Sequence, residues 1–156
     1  MSTATEIILA SGPNIGLVQD LWREYWRSIG LPPDFQNFIE EIASLPGAYS
    51  YPRGRLLLAL CGGRPAGTAA FRPLDHQSCE AKRLYVRPQY RGKGIGKALL
   101  EELVREARRE GYREMYGDTL KSMASALKMY SQRGFSEVAP YSANPTPGAI
   151  FLKLEL

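Results

Sequence analysis

The chain has 156 residues, 44% of them hydrophobic and 23% charged, which suits a single domain spanning residues 1–156 with a packed core and excludes a disordered segment. Lys and Arg exceed Asp and Glu by enough for a net charge of +4, but the cations are interleaved with Glu rather than gathered into the dense stripe of a nucleic-acid binder. Two cysteines, Cys61 and Cys79, and one histidine, His76, are too few for a metal site with the usual zinc ligand spacing.

The N-terminal "MSTATEIILA" has neither a basic stretch nor a long apolar core of the secretory kind. The longest strongly apolar run, Leu56–Cys61, is far short of a membrane span. A reduced, cytoplasmic protein with no membrane contact is expected. Thr5–Ala10 reads as a first strand. Ile15, Val18, Leu21, Trp22, Tyr25, Trp26 and Ile29 recur at helical spacing and end near Gly30. Asp34 is the expected N-cap of a second helix carrying Phe35, Phe38, Ile39 and Ile42. "LPGAYSYPRG" reads as a loop.

"RLLLALCGGRPAGTAAFRPL" reads as a hairpin turning at "GGRP", and "SCEAKRLYVRP" as a further strand ended by Pro88. Leu99, Leu100, Leu103, Val104 and Ala107 form one stripe of a helix stopped by Gly111. "YREMYGDTL" is a strand, "SMASALKMYSQRG" a short helix, and "FSEVAPY" and "AIFLKLEL" are closing strands around the proline-rich "SANPTPG". This order gives an α/β (α+β) domain: a mixed, mostly antiparallel central sheet of about six to seven strands flanked by about four helices.

The densest signal is "RGKGIG", Arg91–Gly96, where three glycines interrupt the start of a helix. Each costs helix stability of roughly 1 kcal/mol relative to Ala. A strand, a glycine turn and a helix N-terminus leave several N–H groups without intrahelical partners, and together they can hold an anion. A Walker loop fails, because Gly96-Lys97 is followed by Ala98 and the upstream Gly position is Arg91. A dinucleotide fingerprint starting at Gly92 fails at Lys97. A simple structural turn stays open on this stretch alone.

The pattern Arg91-x-x-Gly94-x-Gly96, preceded by "RLYVRPQY", resembles the acyl-coenzyme A loop of the GNAT superfamily of N-acyltransferases. "ALKMYSQRGF", Ala126–Phe135, is similar to that family's second signature. The resemblance implies acetyl-CoA as co-substrate, no metal, and acetyl transfer to a small-molecule or protein primary amine by direct attack through a tetrahedral intermediate. It assigns the pyrophosphate to the amides of Gly92, Lys93, Gly94, Ile95, Gly96 and Lys97, with Arg91 and Lys93 adding charge. Lys93 is equally a solvated loop cation. The pantetheine arm is expected along Leu84, Tyr85 and Val86, where neighbouring strands splay, and the Leu84 N–H is the implied oxyanion donor. Tyr130 matches the family's thiolate-protonating tyrosine, with a packed core aromatic as its alternative. Glu80 matches the general base of several members, with a cross-strand ion pair to Lys82 or Arg83 as its alternative. Many relatives carry Asn where this chain has Met123, which leaves one cofactor contact to Ser122 or Ser125 if to anything. Arg27, Tyr25, Tyr49, Tyr141 and Asn144 lie in segments expected to face the acceptor. A homodimer is compatible with the family. The alternative function is a non-catalytic coenzyme A-binding regulatory or sensor module, which would need neither Glu80 nor Tyr130.

Overall fold

The computed structural model describes residues 4–32, 37–142 and 147–156. Its strands are β1 (Thr5–Leu9), β2 (Arg55–Cys61), β3 (Arg64–Pro73), β4 (Ser78–Val86), β5 (Glu114–Leu120), β6 (Ser136–Val138) and β7 (Ala149–Glu155). Four helices accompany them: α1 (Asn14–Ser28), α2 (Phe38–Ala43), α3 (Ile95–Glu110) and α4 (Ala124–Arg133). The strands form one sheet in the order β1-β2-β3-β4-β5-β7-β6, antiparallel at every junction except β4–β5. The mixed sheet with flanking helices expected from the sequence is what forms.

Alternation along β2 shows how the sheet separates two cores. Leu57, Ala59 and Cys61 join Leu99, Leu100, Leu103 and Val104 of α3 on one face. Leu56 and Leu58 join Val18, Leu21, Trp22 and Trp26 of α1 and Phe38 and Ile42 of α2 on the other. The helical spacing of α1 therefore buries one stripe, and each fully buried large apolar side chain contributes ~1.5–3 kcal/mol. Trp22 and Trp26 are core residues: the Trp22 indole donates to Thr68 Oγ1 (3.3 Å), and Trp26 stacks on Phe38 at 4.0 Å.

Two local readings shift. The hairpin turns at Gly62-Gly63 alone, since Arg64 and Pro65 already pair within β3. The second helix is described from Phe38, capped by Asn37, while Asp34 and Phe35 lie outside the described residues. The loop after it contains a turn of 3₁₀ helix, Gly47–Tyr49, that buries Tyr49 almost completely. Cys61 and Cys79 are both free and buried.

Candidate active site

The site begins with an irregularity in β4. Thr68 pairs with Tyr85 and Ala70 with Lys82, so Arg83 and Leu84 together face Ala69 across the β3–β4 ladder. This is a β-bulge, and Arg83 absorbs it with φ of 60°, a left-handed conformation rare for a non-glycine residue. The bulge sends Arg83 onto the α1–α2 face. There it donates to both oxygens of Glu41 (3.3 and 2.9 Å), with its guanidinium 5.0–5.7 Å from the rings of Trp22, Trp26 and Phe38. Burial pushes the Glu41 carboxyl up. The Arg83 charge and hydrogen bonds, with the Tyr49 hydroxyl 2.9 Å away, more than offset this and hold it below the usual range. Leu84 follows the bulge directly.

The second irregularity is an opening in the sheet. β4 and β5 pair in parallel from Ser78↔Glu114 to Ala81↔Gly117 and no further. Lys82–Val86 thus lack a β5 partner, leaving the strand edge that an extended ligand can join. A cleft of about 600 Å³ runs through this opening. Leu84, Tyr85 and Val86 form one wall, Thr119 and the start of α4 the other, and Tyr25 of α1 reaches it from the far face.

The glycine loop closes one end of the cleft. Gly92 and Gly94 sit at φ of 79° and 80°, and a Cβ on either would meet nothing within 4 Å. They are needed for backbone conformation, not for space. Their turn starts α3 so that Ala98 N–H is the first to find a backbone acceptor, Gly94 O at 3.0 Å. None of the N–H groups from Gly92 to Lys97 has a protein acceptor among the described residues. Gly92, Gly94, Ile95, Gly96 and Lys97 line the cleft, as does Arg91, whose Nε also donates to Val86 O (2.9 Å). Lys93 is outside the lining, its Nζ 5.7 Å from the Tyr90 ring.

Tyr130, one turn from the end of α4, lines the cleft although it is 5% exposed, with its ring edge-on to Phe135 at 5.1 Å. Its hydroxyl has no hydrogen-bond partner among the described residues. Burial, then the charges of Tyr25 and Asp118, push its pKa above the ordinary phenol value. It therefore remains a proton donor throughout the neutral range. Met123, where many relatives carry Asn, caps α4 and receives the Thr119 hydroxyl on sulfur at 3.8 Å; Ser122 and Ser125 lie beside it in the cleft wall.

Glu80 is not in the cleft lining. It is almost fully buried on the α1–α2 face, where Arg72 Nε donates to Oε1 (2.9 Å) and Tyr141 OH to Oε2 (3.0 Å); Lys82 Nζ stands 3.9 Å away. Tyr141 is thereby fixed over Tyr116 and Phe151. Arg27 lies in a separate apolar groove between α1 and α2, and Asn144 is outside the described residues.

Residues 16–135 match the model of the family described as Acetyltransferase (GNAT) family. The chain belongs to that family. GNAT membership brings the class of acyl-CoA-dependent N-acetyltransferase, as the resemblance implied. An uncharacterized N-acetyltransferase of Schizosaccharomyces pombe is 36% identical over 138 residues, covering 87% of this chain and 85% of its own. An acetyltransferase from Streptococcus agalactiae superposes with a TM-score of 0.81 at 20% identity, covering 97% of this chain and 98% of the other. The structure of yncA from Salmonella typhimurium, described as an acetyltransferase with its cofactor acetyl-CoA, gives 0.72 at 22% identity over 97% and 94% of the two chains.

Sequence reading missed Glu41 and Arg83, which the bulge brings together, and Asp118, which sits just past the last β4–β5 pair, 3.9 Å from Lys82 Nζ. One signal was available. In a regular strand buried on both faces, adjacent Lys82 and Arg83 would place one cation in each core, so the pair marks a bulge. Asp118 carried no such mark.

Proposed function

We propose that residues 1–156 act as one unit that transfers the acetyl group of acetyl-CoA to a primary amine by direct attack. The observation that carries this is a single cleft joining unpartnered N–H groups at Gly92–Lys97, an unpaired β4 edge and an unpartnered, protonated Tyr130 hydroxyl. The first is a pyrophosphate cradle, strengthened by the α3 dipole and Arg91. The β4 edge at Leu84–Val86 receives the amide-bearing pantetheine arm. That yncA, which shares the fold, was solved with acetyl-CoA supports acetyl-CoA as the ligand.

The thioester supplies an activated acyl carbon. As the nitrogen–carbon bond forms, charge builds on the carbonyl oxygen, and the Leu84 N–H just past the bulge is its donor in this reading. One such donor is worth about 3–4 kcal/mol at the transition state. The carbon–sulfur bond then breaks, and Tyr130 gives the departing thiolate its proton. An alkylammonium is less than about 0.1% neutral at pH 7, so the amine sheds one proton before attack and a second after it. One of the two balances the thiol. Glu80 takes part at one remove, through a relay, because Arg72 and Tyr141 already occupy both its oxygens. A reduced cytoplasmic setting fits two free buried cysteines, with burial first among the causes that push the Cys79 thiol up to about 12.

Calorimetric titration with acetyl-CoA, using ATP and NAD as controls, tests the cleft assignment. Saturable binding of acetyl-CoA alone is expected. No binding would overturn the reading.

A further inference from the structure

Lys82 and Asp118 each follow the last paired residue of their strand, Ala81 on β4 and Gly117 on β5. They are the two lips of the opening in the sheet, on the face toward α1. Lys82 Nζ lies 3.9 Å from Asp118 Oδ1 and 3.9 Å from Glu80 Oε2, both beyond hydrogen-bond range. Its side chain is 11% exposed and makes no hydrogen bond among the described residues. Asp118, 25% exposed, likewise accepts none. An ammonium and a carboxylate that face each other at 3.9 Å, both still open to solvent, keep hydrogen-bonding capacity that a ligand can take up in place of water.

Their surroundings narrow that ligand. Glu80 is already answered by Arg72 and Tyr141, and Glu41 by Arg83 and Tyr49. Across this cluster Arg72, Lys82 and Arg83 balance Glu41, Glu80 and Asp118, so a ligand of either net charge disturbs it. Asp118 also lies close enough to Tyr25, Tyr130 and Tyr141 for its charge to help raise all three hydroxyls. Tyr130 and the residue after Asp118, Thr119, line the cleft, and Lys82 lies two positions before Leu84.

Resting on the acetyl-transfer reading above, we propose that Lys82 and Asp118 form the acceptor site and that the acceptor is a free α-amino acid. Its carboxylate bonds Lys82, and its amino group is held by Asp118 beside the Leu84 amide and the Tyr130 hydroxyl. The short, opposed charges of a zwitterion lie head to tail on this ion pair. A peptide N-terminus brings a neutral amide where Lys82 needs an anion. A diamine brings a second cation beside Arg72, Lys82 and Arg83.

The test is thiol release from acetyl-CoA by the full chain with the proteinogenic L-amino acids, each compared with its decarboxylated amine and with a peptide bearing it at the N-terminus. The best amino acid should exceed its amine in kcat/KM by about tenfold or more, the worth of one charged hydrogen bond. Lys82→Gln should abolish that preference and Asp118→Asn should raise KM for the amino acid, both with acetyl-CoA affinity unchanged. Equal use of amine and amino acid, or turnover of peptides alone, overturns the proposal without any variant having to fold. Acetyl-CoA binding with no amino acid acetylated also overturns it while the cofactor reading stands. Failure to bind acetyl-CoA would sink the cofactor reading first.

Discussion

Tyr130 packs like a core residue, and in the acetyl-transfer reading it also does chemistry. Its ring is locked against Phe135, which costs nothing further on binding, while its hydroxyl opens on the cleft without a partner among the described residues. Because burial and then the neighbouring Tyr25 and Asp118 charges raise its pKa, the sign is clear: the acid form persists past the ordinary phenol value near pH ~10. Raising pH from neutrality frees more of the amine without removing this proton donor. The rate should therefore rise or stay level from pH 7 to pH 9 in steady-state assays rather than fall on a bell, to about the limit set by protein stability. Tyr130→Phe should lower kcat roughly 10²-fold while calorimetry shows unchanged acetyl-CoA affinity. Equal kinetics for the two proteins would leave Tyr130 a packing residue only.

At the scale of elements, α3 offers an internal comparison. Gly94 precedes it at φ of 80° and Gly111 follows it at 94°, and a Cβ on either meets nothing within 4 Å. Alanine at each position bears only the left-handed penalty of about 1–2 kcal/mol. Both Gly94→Ala and Gly111→Ala should lower the thermal midpoint by a few degrees, but only Gly94→Ala should also weaken acetyl-CoA binding. Equal loss of affinity in both would mean that the loop amides do not hold the ligand. This helix was legible before the structure because its apolar stripe, glycine entry and glycine stop all agree locally. The same local agreement marked Gly92, Gly94 and Tyr130 as candidates, and all three line or shape the cleft. Arg83 and Asp118 were opaque for the opposite reason: their roles depend on a two-against-one pairing with β3 and on where β4 leaves β5, relations between distant segments. Glu80 was visible as a charged residue in a strand. That Arg72 and Tyr141 would occupy it follows from β3 and from a segment 61 residues away.

For the whole molecule, the opening divides the sheet into β1–β4 and β5–β7, held together by a parallel ladder of four residue pairs and by α3 crossing between them. A ligand seated in the opening touches both halves, so its binding energy adds at the junction between them. At about 100 times Kd, acetyl-CoA should stabilise the native state by about 2.7 kcal/mol, raising the thermal midpoint by roughly 5–10 °C for a chain of this size. Global stabilisation alone slows hydrogen exchange everywhere that exchange needs unfolding. Bridging predicts an additional, local effect: the amides of Leu84 and Val86, which lie beyond the last β4–β5 pair, and those of Gly92–Lys97, which have no acceptor among the described residues, should become the most strongly slowed sites. The β1–β2 edge should change only as far as global stability does. Mass spectrometry of exchange with acetyl-CoA, against ATP at equal concentration, measures both. Uniform protection would place the ligand outside the opening; protection concentrated at β4 and the loop would show that the sheet is left unpaired there to take the cofactor as its missing strand.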